Sequence, residues 1–155
     1  MPEGSKLGTV IACVDGSDLA TESVQDGLGL LQPAERLIVA TVVEPVDPTL
    51  VTGTGMAGGV ISGTEFDEIE RLALEQGQSI AQDAVAALGL SDAEVMVLRG
   101  EPGIALCNLA TEQNARALVM GSRGRGGIKR ALLGSVSDYV VRNAPCPVVI
   151  TGPKG

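Results

Sequence analysis

No histidine occurs anywhere in the 155-residue chain. That absence excludes a Ser-His or Cys-His nucleophile and every metal site built on imidazole. Tryptophan is also missing, and Phe66 and Tyr139 are the only aromatic residues. Single-stranded nucleic-acid platforms stack bases on aromatic rings, so two isolated rings leave such a platform without its main component. Cysteine is sparse: Cys13, Cys107 and Cys146 stand far apart, odd in number and without a CxxC pair. They read as small buried residues in a reducing compartment rather than as a disulfide framework or a zinc site. No apolar run approaches the length of a membrane span, and the opening Met-Pro-Glu-Gly-Ser-Lys lacks the basic-then-apolar pattern of a secretion signal. A cytoplasmic protein without a membrane partner is therefore expected. Positive charge is short as well, with 11 Lys and Arg against 19 Asp and Glu, a net charge of −8 and a pI of about 4.4. So acidic a chain is no general binder of nucleic acid, which requires a broad basic face.

What positive charge there is lies concentrated. Residues 116 to 142 hold six Arg or Lys against Asp138 alone, a local excess of five, whereas the rest of the chain holds five against eighteen acids. Within that segment, residues 121 to 137 read Gly-Ser-Arg-Gly-Arg-Gly-Gly-Ile-Lys-Arg-Ala-Leu-Leu-Gly-Ser-Val-Ser. Glycine lets a backbone approach an anion closely, and a helix starting near Ser135 aims unpaired N–H groups at the same point. A small polyphosphate fits this composition. Duller explanations stand beside it: the glycines can be turn formers, Ser135 an ordinary N-cap, and Arg125, Lys129 and Arg130 a solvated face.

Apolar residues make up 45% of the chain, and the length suits one domain over residues 1–155 with a core of Val, Ile, Leu and Ala. Short, nearly continuous apolar runs at Thr9–Val14, Leu37–Val43, Val95–Leu98, Ala117–Met120 and Pro147–Thr151 fit strands covered on both faces. Helical spacing links Leu19, Ala20, Val24, Leu28 and Leu31 behind Ser17 or Asp18, up to Pro33. A longer stripe runs from Phe66 to Leu88 behind Ser62-x-x-Glu65, a capping-box pattern. Ile104, Cys107 and Leu109 mark a third helix near Pro102, and Leu132, Leu133, Val136, Tyr139 and Val140 a fourth that ends before Pro145. Strict alternation of strand and helix predicts an α/β fold, a doubly wound, Rossmann-like open sheet of five parallel strands with four helices on its two faces. The stretch 44–63, with Pro45, Pro48 and several glycines, reads as a mobile loop or a lid, and 1–6 and 152–155 as tails.

In such sheets ligands sit beyond the carboxyl ends of the strands. Asp15-Gly16-Ser17 follows the first strand and the glycine segment follows the fourth. Neither standard phosphate motif fits the latter: a Walker A loop from Gly121 needs Lys where Gly127 stands, and a dinucleotide triplet from Gly124 and Gly126 needs a small residue where Lys129 stands. The spacing present is Gly121, Gly124, Gly134, Ser135. It resembles the nucleotide-binding signature of the universal stress protein family, in its ATP-binding branch. Val14-Asp15-Gly16-Ser17 and Pro145-Cys146-Pro147-Val148-Val149-Ile150 are similar to that family as well.

The resemblance implies a strand order of 3-2-1-4-5 and ATP as the ligand, with Mg²⁺ or Mn²⁺ accompanying it. It implies that Gly121, Arg123 and Gly124 line ribose and phosphates with Met120 nearby, and that Gly134, Ser135, Val136 and Ser137 hold the phosphate chain. Asp15 would lie by the nucleotide and help hold the metal, while Val42 would meet adenine with Val14 beside it. Asp15 also fits a plain turn or cap. The implied activity is a nucleotide-dependent sensor or regulator of stress response. A slow ATP hydrolase and a ligand-free dimeric interaction protein are the alternatives. Pairing of two copies through 147–151 is expected, because a short apolar edge strand tends to be paired or protected.

Overall fold

The apolar runs become the strands of one sheet. The computed structural model describes residues 8–47, 61–122 and 133–152. Within them β1 (Thr9–Cys13), β2 (Arg36–Val43), β3 (Glu94–Arg99), β4 (Ala117–Gly121) and β5 (Val148–Thr151) run parallel in the order β3-β2-β1-β4-β5. The expected order is found. Both the third strand and the last lie at the sheet's edges, and β1 is central, hydrogen-bonded to β2 and β4.

Four helices connect the strands among the described residues: α1 (Asp18–Leu28), α2 (Gly63–Leu88), α3 (Pro102–Glu112) and α4 (Ser135–Asn143). Alternation along β1 sorts the core. Ile11 and Cys13 face α3 and α4 together with Ile38, Leu118 and Met120, while Val10 and Ala12 face the opposite side, where α1 and α2 pack. Period-two alternation sends consecutive side chains to opposite faces, so nearly continuous apolarity is what a sheet covered on both sides requires.

Glycines set how closely the helices approach. A Cβ on Gly27 of α1 would stand 2.5 Å from Val119 Cγ1, and one on Gly77 of α2 would stand 2.7 Å from Val97 Cγ1 and 2.8 Å from Val43 Cγ1. Gly103 of α3 leaves the space that the Tyr139 ring of α4 fills. Caps fix the starts. Ser17 Oγ accepts from Ala20 N at 3.1 Å, Ser62 Oγ from Glu65 N at 3.1 Å, and Glu101 Oε2 from Ile104 N at 3.2 Å.

Two helix boundaries differ from the sequence expectation. Leu31 lies outside α1, which stops at Leu28 with Gly29 as C-cap; the N–H groups of Leu30 and Leu31 then turn to carbonyls three residues back, Gly27 and Leu28, at 3.1 Å. Glycines flanking Leu28 weaken the last turn, and the helix closes before Pro33 is reached. Leu133 precedes α4 rather than belonging to it, because the chain enters the helix through the extended Gly134. Leu132, most of the 44–63 loop (residues 48–60), and the tail residues 1–6 and 153–155 lie outside the described residues.

Candidate functional site

The strand order reverses direction at β1: the chain leaves it first for β2 and later returns on its other side as β4. Loops diverge there and leave a crevice at the carboxyl ends of the strands. A cleft of about 790 Å³ occupies that place. This volume is in the range of sites that enclose a small organic ligand.

One wall comes from the loop after β1. Val14 continues the strand far enough to donate its N–H to Ala40 O at 3.0 Å, and Gly16 then takes φ 88°, a conformation that glycine adopts without strain. Asp15 Oδ1 accepts from Ser17 N at 2.9 Å and from Ser17 Oγ at 2.6 Å, so the carboxylate organises the turn that feeds α1. The turn role expected of Asp15 is present, and the same side chain lines the cleft. The floor is formed by the ends of β2 and β4, where Val42, Met120 and Gly121 reach the surface of the cleft.

The third element is the start of α4. Its first helical hydrogen bond runs from Asp138 N to Gly134 O at 2.9 Å, which leaves the N–H groups of Ser135, Val136 and Ser137 outside the helical ladder. Gly134 offers no side-chain cap to them. Those N–H groups carry the positive end of the helix dipole, and Gly134, Ser135, Val136 and Ser137 all line the cleft. Asp138 sits in the first turn and pairs with Arg142 at 3.1 Å, one helical turn on.

The structure therefore brings Val14, Asp15, Val42, Met120, Gly121, Gly134, Ser135, Val136 and Ser137 to a single crevice, although they come from four separate segments. Arg123 and Gly124 lie outside the described residues. Among the described residues no group of three or more Cys, Asp or Glu is placed to hold a metal ion. Asp15 could serve a cation only as one carboxylate beside ligand oxygens and water, a donor set that suits Mg²⁺.

The universal stress protein family profile matches residues 6–152. The chain belongs to the universal stress protein family. A universal stress protein of Thermus aquaticus is 31% identical over 143 residues, covering 92% of this chain and 96% of the relative. The universal stress protein YxiE of Bacillus subtilis is 33% identical over 147 residues, covering 91% and 96%. The solved hypothetical protein MJ0577 matches with a TM-score of 0.71 at 18% identity, covering 97% of this chain and 99% of its own, a likeness of fold. A universal stress protein solved in complex with cAMP matches with a TM-score of 0.58 at 27% identity, covering 97% and 100%.

One wall of this family member's cleft is not visible in the motif. Ala73, Gln76, Gly77 and Ile80 of α2 close the side beside Val42 and Val43. The signal for them is weak but physical: a glycine in a helix interior is unfavourable by about 1 kcal/mol, and Gly77 occupies one where the helix touches two strands. Pro102 and Leu106 of α3 complete the opposite side.

The thiols offer no nucleophile here. Cys13 lines the cleft, but burial, reinforced by Cys107 and Cys146, pushes its pKa up from 9.0 to about 12. Burial also raises Cys107 and Cys146. All three are free and stay protonated at neutral pH, which leaves them as small core residues. Among the described residues no helix is long and apolar enough to cross a membrane.

Proposed function

We propose that the cleft binds an adenine nucleotide, ATP first among them, and that the protein acts in stress response as a nucleotide-dependent sensor or regulator. The observation that carries the reading is the meeting of the Asp15 loop, Val42 and the open N-terminus of α4 around one crevice of nucleotide size. The base lies against Val14 and Val42, and the phosphates face the backbone of Ser135 and Val136. Arg123 and Gly124 belong to the phosphate end through the spacing they share with Gly121 and Gly134. A Mg²⁺ or Mn²⁺ held by the phosphates takes Asp15 as its protein carboxylate. The cAMP carried by a relative at 27% identity supports the ligand class and makes the phosphate form the open variable.

Thermal unfolding in the presence of ATP, AMP, cAMP or GTP, each with and without Mg²⁺, tests the proposal. A ligand at a hundredfold excess over its dissociation constant adds about 2.7 kcal/mol to the native state. For a chain of this size that raises the melting temperature by about 5–10 °C. ATP is expected to exceed GTP. No shift with any of the four nucleotides would refute nucleotide binding.

β5 lies at the sheet edge, which supports pairing of two copies through residues 147–151. Sedimentation at micromolar concentration should show a dimer. A monomer that ATP leaves unchanged would count against pairing through β5.

A further inference from the structure

The hydrogen bonds where β4 passes into α4 give Ser137 a task other than touching a ligand. Ser122, just past the end of β4, presents a carbonyl that accepts from Gly134 N at 2.6 Å and from Ser137 Oγ at 2.8 Å, across fifteen positions of sequence. Ser137 Oγ also lies 3.1 Å from Gly134 O. A hydroxyl has one proton to donate, and both acceptors within reach are backbone carbonyls of this junction. A phosphate, itself an acceptor, needs a donor, so this hydroxyl is already committed. Burial agrees: Ser137 is 2% exposed, whereas Ser135, two residues earlier, is exposed.

The junction is anchored from behind as well. Ser122 N donates to Thr151 O of β5 at 2.9 Å, and Thr151 Oγ1 donates to Ser23 O of α1 at 2.6 Å. Ser122 thus ties the end of β4 to the edge strand β5 and to the start of α4, and Thr151 carries the connection on to α1.

The geometry points to Ser137 as a positioning residue: its buried hydroxyl locks the first turn of α4 onto the end of β4. The lock holds the N–H groups of Ser135 and Val136 towards the cleft before a ligand arrives. A site ordered in advance loses less freedom on binding, and the gain appears in the phosphate end alone. The ligand half rests on the adenine-nucleotide reading above; the lock itself does not.

Amide hydrogen exchange on ligand-free protein separates the two. Ser137→Ala should speed exchange at Gly134, whose N–H is bonded to Ser122 O, by about three- to tenfold, the loss of one buried hydrogen bond, while β1 and β2 amides stay unchanged. Ser135→Ala should leave the Gly134 rate where it was. In titrations with ATP and with adenosine, Ser137→Ala should weaken ATP by a similar factor and leave adenosine unaffected. Where the alanine variant fails to fold, Ser137→Cys keeps the side chain's size, weakens the donor and gives the same readout. An unchanged Gly134 rate, with or without weaker ATP binding, overturns the lock. Accelerated exchange in a protein that binds no nucleotide upholds the lock and overturns the nucleotide reading instead.

Discussion

Ile11→Ala should lower the unfolding free energy by about 2–5 kcal/mol, the range for emptying a large aliphatic side chain from a packed core. Ile11 pairs laterally with Ile38 on one side and Leu118 on the other, and all three side chains are fully buried in the same core. The row crosses the three central strands. Collapse around a missing methylene group is what softens such substitutions, and here it is opposed, because β1 is held by backbone hydrogen bonds to strands on both sides. The expected loss therefore falls in the upper half of the range. A domain stable by about 5–15 kcal/mol would lose a large share of its margin. Urea denaturation would show a lower midpoint at an unchanged slope. Leu30→Ala is the matched control, since Leu30 is 75% exposed and its replacement should stay within about 0.5 kcal/mol of wild type. Near-equal effects of the two substitutions would mean that the row is not the packed centre of the fold.

The strands were legible because their chemistry is local. An apolar, β-branched run bounded by polar residues marks a strand buried on both faces, and each run found in the sequence lies within a residue of an observed strand end. Helix starts were legible for the same reason: Ser17 and Ser62 announce themselves by type and spacing. Helix ends depend on what the chain does next, and there the pattern misled. Leu31 continues the apolar stripe of α1 in sequence yet packs against the core from beyond the helix, since burial needs only that a side chain reach the core. Leu133 likewise fits the α4 stripe but precedes the helix.

The cleft was legible where a motif names it and hidden where shape does. Gly121, Gly134 and Ser135 stand at a recognisable spacing. The α2 wall arises from the close approach of Gly77 to β2 and β3, residues distant in sequence whose proximity exists only after folding. Hydroxyl direction is equally invisible beforehand. Ser135 and Ser137 look alike as neighbours in a phosphate motif, yet one is exposed and the other turns inward onto Ser122.

Ser135→Asp should change ligand-free stability and ATP affinity in opposite directions. Without ligand, a carboxylate in the first turn of α4 meets the positive end of the helix dipole, worth about 0.3–1 kcal/mol of added stability. Gly134 leaves that end without a side-chain cap, so the new group displaces no existing partner. With ATP the sign reverses. The carboxylate competes with the phosphates for the same N–H groups and repels them; two unit charges about 4 Å apart at an effective dielectric near 20 cost about 4 kcal/mol. Screening at an exposed residue reduces that figure, and about half of it still weakens binding by more than tenfold, up to about a hundredfold with the lost N–H contacts. Adenosine carries no phosphate and should bind as to wild type. Calorimetric titration with ATP and adenosine, together with the melting temperature of the free protein, reads all three effects at once. Equal ATP affinity in the variant and in wild type would place the phosphates away from α4. A fall in adenosine affinity to match that of ATP would mean that the substitution disturbs the whole cleft, and the division into a base end at Val42 and a phosphate end at Ser135 would have to be abandoned.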